Sequence, residues 1–160
     1  AAFAADVLIP QLITAGLEKD NALAHNSAWY ELLASILKPR VKLAGEVVDK
    51  ARFLYEGTKL SYDEKSVAKN LAKEGTLGYL QAAYQALAAI EPQNWTAAHL
   101  DEALAPLPEQ LEANKRKFYA AIRVAECGNQ VSPPMGESLQ LLGKELVLTR
   151  LEQAYTLAQA

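Results

Sequence analysis

The sequence has a single cysteine, Cys127, and only two histidines, His25 and His99. A lone thiol cannot close an internal disulfide, which fits a reducing cytoplasm. One Cys and two distant His also leave no set of zinc-ligand spacings. No apolar run approaches the roughly 18–20 residues that span a bilayer, so no membrane is expected. The N-terminus lacks the basic region, apolar stretch and cleavage site of a secretory signal. A glycine-rich phosphate loop, HExxH and GxSxG are missing too, and no catalytic or metal-binding residue is assigned. Cys127 reads as a buried or loop thiol of no consequence, His25 as a surface residue and His99 as a helix-face residue. Asp101 and Glu102 read as ordinary solvated helix charge.

What the chain has is alanine and leucine, which dominate an apolar fraction of 51% beside 8% aromatic residues. That mixture favours helices over sheets. With 160 residues it can bury a core as one compact domain or as two small ones. The first helical pattern, AFAADVLIPQLITAG, stops at Gly16, a C-cap residue. Ser27 is placed to cap a second helix, which meets Pro39 near its end. A third is expected over about Leu43–Glu56, with Leu43, Val47, Val48, Ala51, Leu54 and Tyr55 on one face and Gly57 closing it. Ser61 and Glu64 match a capping box at the head of a short, largely solvated helix.

Another helix is expected from about Thr76 to Ile90. Glu91-Pro92-Gln93-Asn94 then breaks the pattern, setting a boundary between subdomains 1–92 and 93–160. Thr96 can cap the next helix, which Pro106 and Pro108 bend or end. A basic helical segment over 109–123 leads into 124–134, where periodicity is lost and Gly128, Asn129 and two prolines mark a loop. Ser132 is expected to cap the following helix, with Pro133 at its first position. Gly143 interrupts that helix, and a last one turns Val147, Leu148, Leu151 and Tyr155 inward.

The formal net charge of −3 argues superficially against a nucleic-acid binder. Its distribution argues the other way. Lys38, Arg40, Lys42, Lys50 and Arg52 form one basic window, and Lys115, Arg116, Lys117 and Arg123 a second. The two hold nine of the sixteen basic residues and only Glu46 and Asp49 of the nineteen acidic ones, so they are +7 and the remainder −10. Local charge, more than the total, decides where phosphates settle.

The last third carries the specific signal: Arg123-Val124-Ala125, Gly128, Ser132-Pro133-Pro134, Glu137-Ser138, Leu141-Leu142-Gly143-Lys144-Glu145 and Arg150, in fixed order over less than thirty residues. This series resembles the end of bacterial glutamyl-tRNA synthetases, where a pattern close to RVAxTGxxxSPPLxESLxLLGKExxLxRL closes the anticodon-binding domain. Weaker similarity extends upstream through Trp95-Thr96, Ala68–Leu71 and Arg40–Leu43.

The resemblance implies an all-α fold of two small helical subdomains, a helix cage that reads the anticodon loop. It implies tRNA(Glu) as partner, with tRNA(Gln) left open, and a monomer in the cytoplasm. The catalytic domain of the family, which uses ATP and Mg and carries HIGH-like and KMSKS-like motifs, has no counterpart here, so no cofactor is expected in this chain. By motif, Arg123 and the Ser132-Pro133-Pro134-Met135 turn take the positions that hold the first anticodon base, and Arg40 the position of an arginine that reads the third. Lys42, Lys115, Arg116 and Lys117 are phosphate contacts in this scheme. Arginine's rigid fork suits base edges that a splayed RNA loop exposes. A helix start after Ser132 would offer free amides to phosphate or base oxygens.

Two departures stand out. Glu126-Cys127 replaces a hydrophobic-Thr pair, which would bring an acid close to the RNA surface. Gly136 replaces a large residue after the turn. The competing reading is a helical protein-interaction adaptor without an RNA partner.

Overall fold

Among the residues described by the computed structural model, 1–159, the secondary structure is helical, apart from an isolated bridge between Lys19 and Ala22. The all-α expectation holds. The chain divides into two compact units, Ala1–Tyr55 and a second that begins at Glu56. Glu91–Asn94, where the sequence suggested a boundary, lies inside the second unit as a 3-10 turn over Pro92–Asn94. The core runs through it: Trp95, just after the turn, is buried, and its Nε1 donates to the Leu139 carbonyl at 2.9 Å.

In the first unit a π-helical turn, Ala4–Leu8, leads into α1, Ile9–Thr14. Pro10 has no N–H, and its ring crowds the preceding turn; the widened turn gives it room. Ala4, Leu8 and Leu12, four apart, form the buried face. Gly16 ends the helix at φ +79°. Helix α2 is Ser27–Leu37, and its cap is Asn26 rather than Ser27, since Asn26 Oδ1 accepts the Trp29 amide. A 3-10 turn over Lys38–Arg40 follows, as Pro39 requires.

Helix α3 is only Glu46–Ala51, continued by a 3-10 turn over Arg52–Leu54. Val47 and Ala51 are fully buried, but Leu43 lies outside the helix and is 70% exposed. The apolar face therefore begins later than its spacing suggests, after Ala44 and Gly45.

The second unit contains α4 Glu64–Asn70, α5 Thr76–Ala88, α6 Ala97–Leu104, α7 Leu107–Gln110, α8 Lys115–Cys127, α9 Met135–Leu142 and α10 Lys144–Gln159. Helix α5 packs along α10 and α8, and α6 lies on α9. Phe118, Ala121, Ile122 and Ala125 turn one face of α8 into the core beside Leu80, Leu87, Leu100, Leu139, Val147 and Leu151. Full burial of a side chain such as Phe118 or Ile122 contributes about 1.5–3 kcal/mol.

The caps of this unit correct two sequence expectations. Asp63 caps α4 by accepting the Ser66 amide at 2.9 Å, while Ser61 donates its hydroxyl to Glu56 instead of boxing with Glu64. Asn114 caps α8 through the Lys117 amide, so the basic segment begins there and not at residue 109. Thr96 does cap α6, accepting the His99 amide. Gly128 ends α8 at φ +78°, and a Cβ there would overlap the Ser61 carbonyl. The glycine is thus required twice, by its backbone and by its neighbour.

Candidate nucleic-acid interface

Helix α8 runs to Cys127, and this extra turn places the groups around the site. Ile122 and Glu126 are four apart and share its inward face. Glu126 is therefore fully buried and does not approach a surface, contrary to the expectation that helical periodicity is lost over 124–134, since α8 continues through the first four of those positions. Among the described residues, both its carboxylate oxygens lack a hydrogen-bond partner. Burial pushes its carboxyl well above the usual range, and the nearby Arg150 charge opposes that only in part. Cys127 is buried as well, and burial pushes its thiol up to about 12, so it stays protonated and unreactive.

Arg123 lies on the half-buried side of α8. Its Nε donates to Ser132 Oγ at 2.9 Å, and the Ser132 hydroxyl donates to the Pro133 carbonyl at 2.9 Å. Ser132 is therefore a brace for arginine and not a helix cap: the cap position of α9 is Pro134, without a side-chain bond. Among the described residues, neither Nη group of Arg123 donates to a protein acceptor. One of the five guanidinium N–H donors is committed to the turn, and the four on the Nη groups are unspent.

The rest of the turn is less accessible. Pro133 is buried, Pro134 half-buried, and Met135 packs into the core at 6% exposure. The start of α9 is not open either. The Asp101 carboxylate, on α6, lies against Gly136, where a Cβ would stand 2.5 Å from Oδ1, and burial pushes its carboxyl upward while the nearby Gly136 amide opposes that in part. Nothing in the sequence pairs Asp101 with a residue thirty-five positions on; the small residue at 136 was the only trace.

Many motif residues turn out to serve the fold. Arg150 is fully buried, donating through Nη1 to the Glu126 carbonyl at 2.6 Å and through Nε and Nη2 to the Gly57 carbonyl at 3.1 and 2.9 Å. Lys144 Nζ donates to the Ile90 carbonyl at 2.6 Å. Ser138 is buried against Pro133. Of these, Ser138 holds the turn itself, through the Pro133 carbonyl.

Lys115, Arg116 and Lys117 are exposed in the first turn of α8, which contains no acidic residue. Cations at a helix N-terminus oppose the helix dipole. Helix stability alone would not put three of them there. In the first unit, Arg40 is exposed on the 3-10 turn after α2, with Nη1 donating to the Ile36 carbonyl at 2.8 Å. Lys42 is exposed too, and its backbone amide donates to Glu46.

This is an all-helical domain with a braced, arginine-bearing turn and a basic helix start. The chain belongs to the anticodon binding domain family, whose model matches residues 4–155. It is 39% identical over 127 residues to the glutamate–tRNA ligase of Corynebacterium efficiens, covering 78% of this chain and 25% of that protein. The glutamate–tRNA ligase of Roseiflexus sp. (strain RS-1) is 33% identical over 150 residues, covering 94% of this chain and 29% of that protein. Among solved structures, a glutamate tRNA ligase from Elizabethkingia meningosepticum matches with a TM-score of 0.78 at 17% identity, covering 96% of this chain and 29% of that one. That likeness shows the fold. The chain spans under a third of the length of the curated relatives it matches.

Proposed function

We propose that this chain is the anticodon-binding portion of a glutamate–tRNA ligase and grips tRNA(Glu) for glutamylation by a catalytic domain of the same polypeptide. The observation that carries the reading is Arg123: anchored through Nε on Ser132, it keeps its Nη donors for a base edge. The basic start of α8 supplies phosphate contacts through Lys115, Arg116 and Lys117, and Arg40 with Lys42 is a second contact region. Family membership weighs against the protein-interaction adaptor.

ATP and Mg belong, on this reading, to the catalytic portion. Among the described residues no group of three or more His, Cys, Asp or Glu could hold a metal ion, so no step is assigned to them here. No helix among those residues is long and apolar enough to cross a membrane. A monomer working in the cytoplasm completes the proposal.

The test is a mobility shift of a tRNA(Glu) transcript with this chain at two salt concentrations. Weak binding that falls steeply with salt is the expected result, since phosphate contacts release counterions. No salt-sensitive binding even at millimolar protein would overturn the reading. Parallel titration with tRNA(Gln), for the wild type and Arg40→Ala, tests whether Arg40 senses the third anticodon base. Loss of a preference for tRNA(Glu) in the variant is expected; an unchanged ratio removes Arg40 from the site.

A further inference from the structure

Between Gly128 and Ser132 the chain has no buried apolar side chain to anchor it. Asn129, Gln130 and Val131 are all exposed, Val131 by 74%. A segment with so few buried contacts keeps a single path only where polar bonds fix it.

Those bonds come from α4 and the residues leading into it. The Asp63 amide donates to the Gly128 carbonyl at 2.8 Å. Asn129 Oδ1 accepts the Val131 amide at 3.2 Å and lies 3.4 Å from the hydroxyl of buried Ser66. Asn70 Nδ2 donates to Gln130 Oε1 at 3.1 Å. Ser66 and Asn70 are four apart and share one face of α4. Consecutive loop residues are thus held in register along Asp63, Ser66 and Asn70.

Asn70 is oriented for this task by its own helix. Its Nδ2 also donates to the Ser66 carbonyl, one turn back, at 2.9 Å. An amide nitrogen has two hydrogens, so one bond fixes the group and the other is aimed at Gln130. Gln130 stands two positions before Ser132, whose Oγ accepts Arg123 Nε. A line of contacts therefore runs from α4 through the loop to the guanidinium. A loop ordered before its ligand arrives spares the cost of ordering it on binding.

We propose that Asn70 is a positioning residue for RNA recognition: by holding Gln130 it fixes the loop over 129–131, and with it Ser132 and the aim of Arg123. The proposal rests on the RNA reading of the preceding section. It asks no RNA contact of Asn70 or Gln130 themselves.

The experiment uses the whole chain and two transcripts, tRNA(Glu) and the same RNA changed only at the first anticodon base. Fluorescence anisotropy gives both affinities for wild type, Asn70→Ala, Gln130→Ala, the double variant and Gln130→Glu, at a temperature where thermal melts show all five folded. Each single alanine variant should lower the ratio of the two affinities by about two- to tenfold, through the ordering cost restored to the loop. The double variant should lose no more than either single one, because the pair acts as a unit. In Gln130→Glu the carboxylate still accepts from Asn70, so the ratio should stay at the wild-type value while its charge weakens both affinities alike. A purely structural role would lower stability without moving these ratios. An unchanged ratio in either single variant, losses that multiply in the double variant, or a Gln130→Glu ratio as low as that of Gln130→Ala overturns the proposal. A wild type that binds both transcripts equally overturns it as well, while leaving RNA binding intact. If the wild type binds neither transcript in a salt-sensitive way, the RNA reading fails, and this inference with it.

Discussion

Arg150 Nη1 donates to the backbone carbonyl of Glu126 at 2.6 Å, while the carboxylate of Glu126 itself is buried without a hydrogen-bond partner among the described residues. The two side chains sit within electrostatic reach, yet the arginine donates to the backbone carbonyls of Glu126 and Gly57. An acid so placed is held in its neutral form by burial.

The consequence is a pH dependence with a definite sign. The folded-state pKa of Glu126 lies above its unfolded value, so its contribution to stability is full below about pH 4 and is lost as pH rises through the folded value. Glu126→Gln should match wild type near pH 4 and exceed it at pH 8, by on the order of 1 kcal/mol. Urea denaturation of both proteins at the two pH values measures the gap. A gap that does not grow with pH would refute the assignment.

Glu18 in the first unit shows the opposite sign. Burial pushes its carboxyl up, but O–H bonds from Tyr30 and Tyr55, both 2.6 Å, and the Ala24 amide at 2.9 Å outweigh burial and hold it below the usual range. That stability is present above the unfolded pKa and is lost as pH falls through the folded one. Glu18→Gln should cost about 1.5–3 kcal/mol at pH 7 and lessen the acid sensitivity of the first unit. Near-UV circular dichroism during acid titration reports it through Trp29, Tyr30 and Tyr55.

The cations at the start of α8 set helix stability against binding. Replacing Lys115, Arg116 and Lys117 with glutamine should raise stability by about 0.3–1 kcal/mol for each charge removed. The same change should weaken RNA binding about equally for all sequences and lower the salt slope by about one for each phosphate left without its cation. Thermal melts and salt-dependent titrations of one triple variant test both arms. Equal salt slopes would show these residues to be only a solvated face.

Arg123 differs from them because its loss should change discrimination. In the full-length enzyme Arg123→Ala is expected to cost about 1–3 kcal/mol in choosing the correct tRNA. Ser132→Ala frees Nε and should produce a smaller loss of the same kind. Aminoacylation kinetics with cognate and base-substituted tRNA measure it, and unchanged ratios for Arg123→Ala remove it from the site.

How far these features were legible varies residue by residue. The helices of the second unit could be read because their apolar spacing, glycine stops and proline breaks are local signals. Caps were harder: Asn26 stands one position before Ser27, and Asp63 two positions after Ser61, the residues that the pattern suggests. Several acceptable cap residues lie close together there, and only backbone geometry chooses among them. The site was legible as a motif, but its division of labour was not. Arg123 and Arg150 look alike in sequence, yet one is half-buried and bonded through Nε to Ser132, and the other is fully buried among carbonyls.

Composition and periodicity by themselves determined an all-helical chain, and the spacing of the last third determined its family resemblance. Charge order along the chain marked the two basic windows. Only the tertiary structure decided that Glu126 faces the core, that Ser132 braces Arg123, that Met135 is withdrawn and that Asp101 occupies the start of α9. The reason is physical. Helical period and turn chemistry act between near neighbours in sequence, whereas the partner of a polar group is chosen by packing between helices. Asp101 and Gly136 belong to different helices, and they meet because α6 lies on α9.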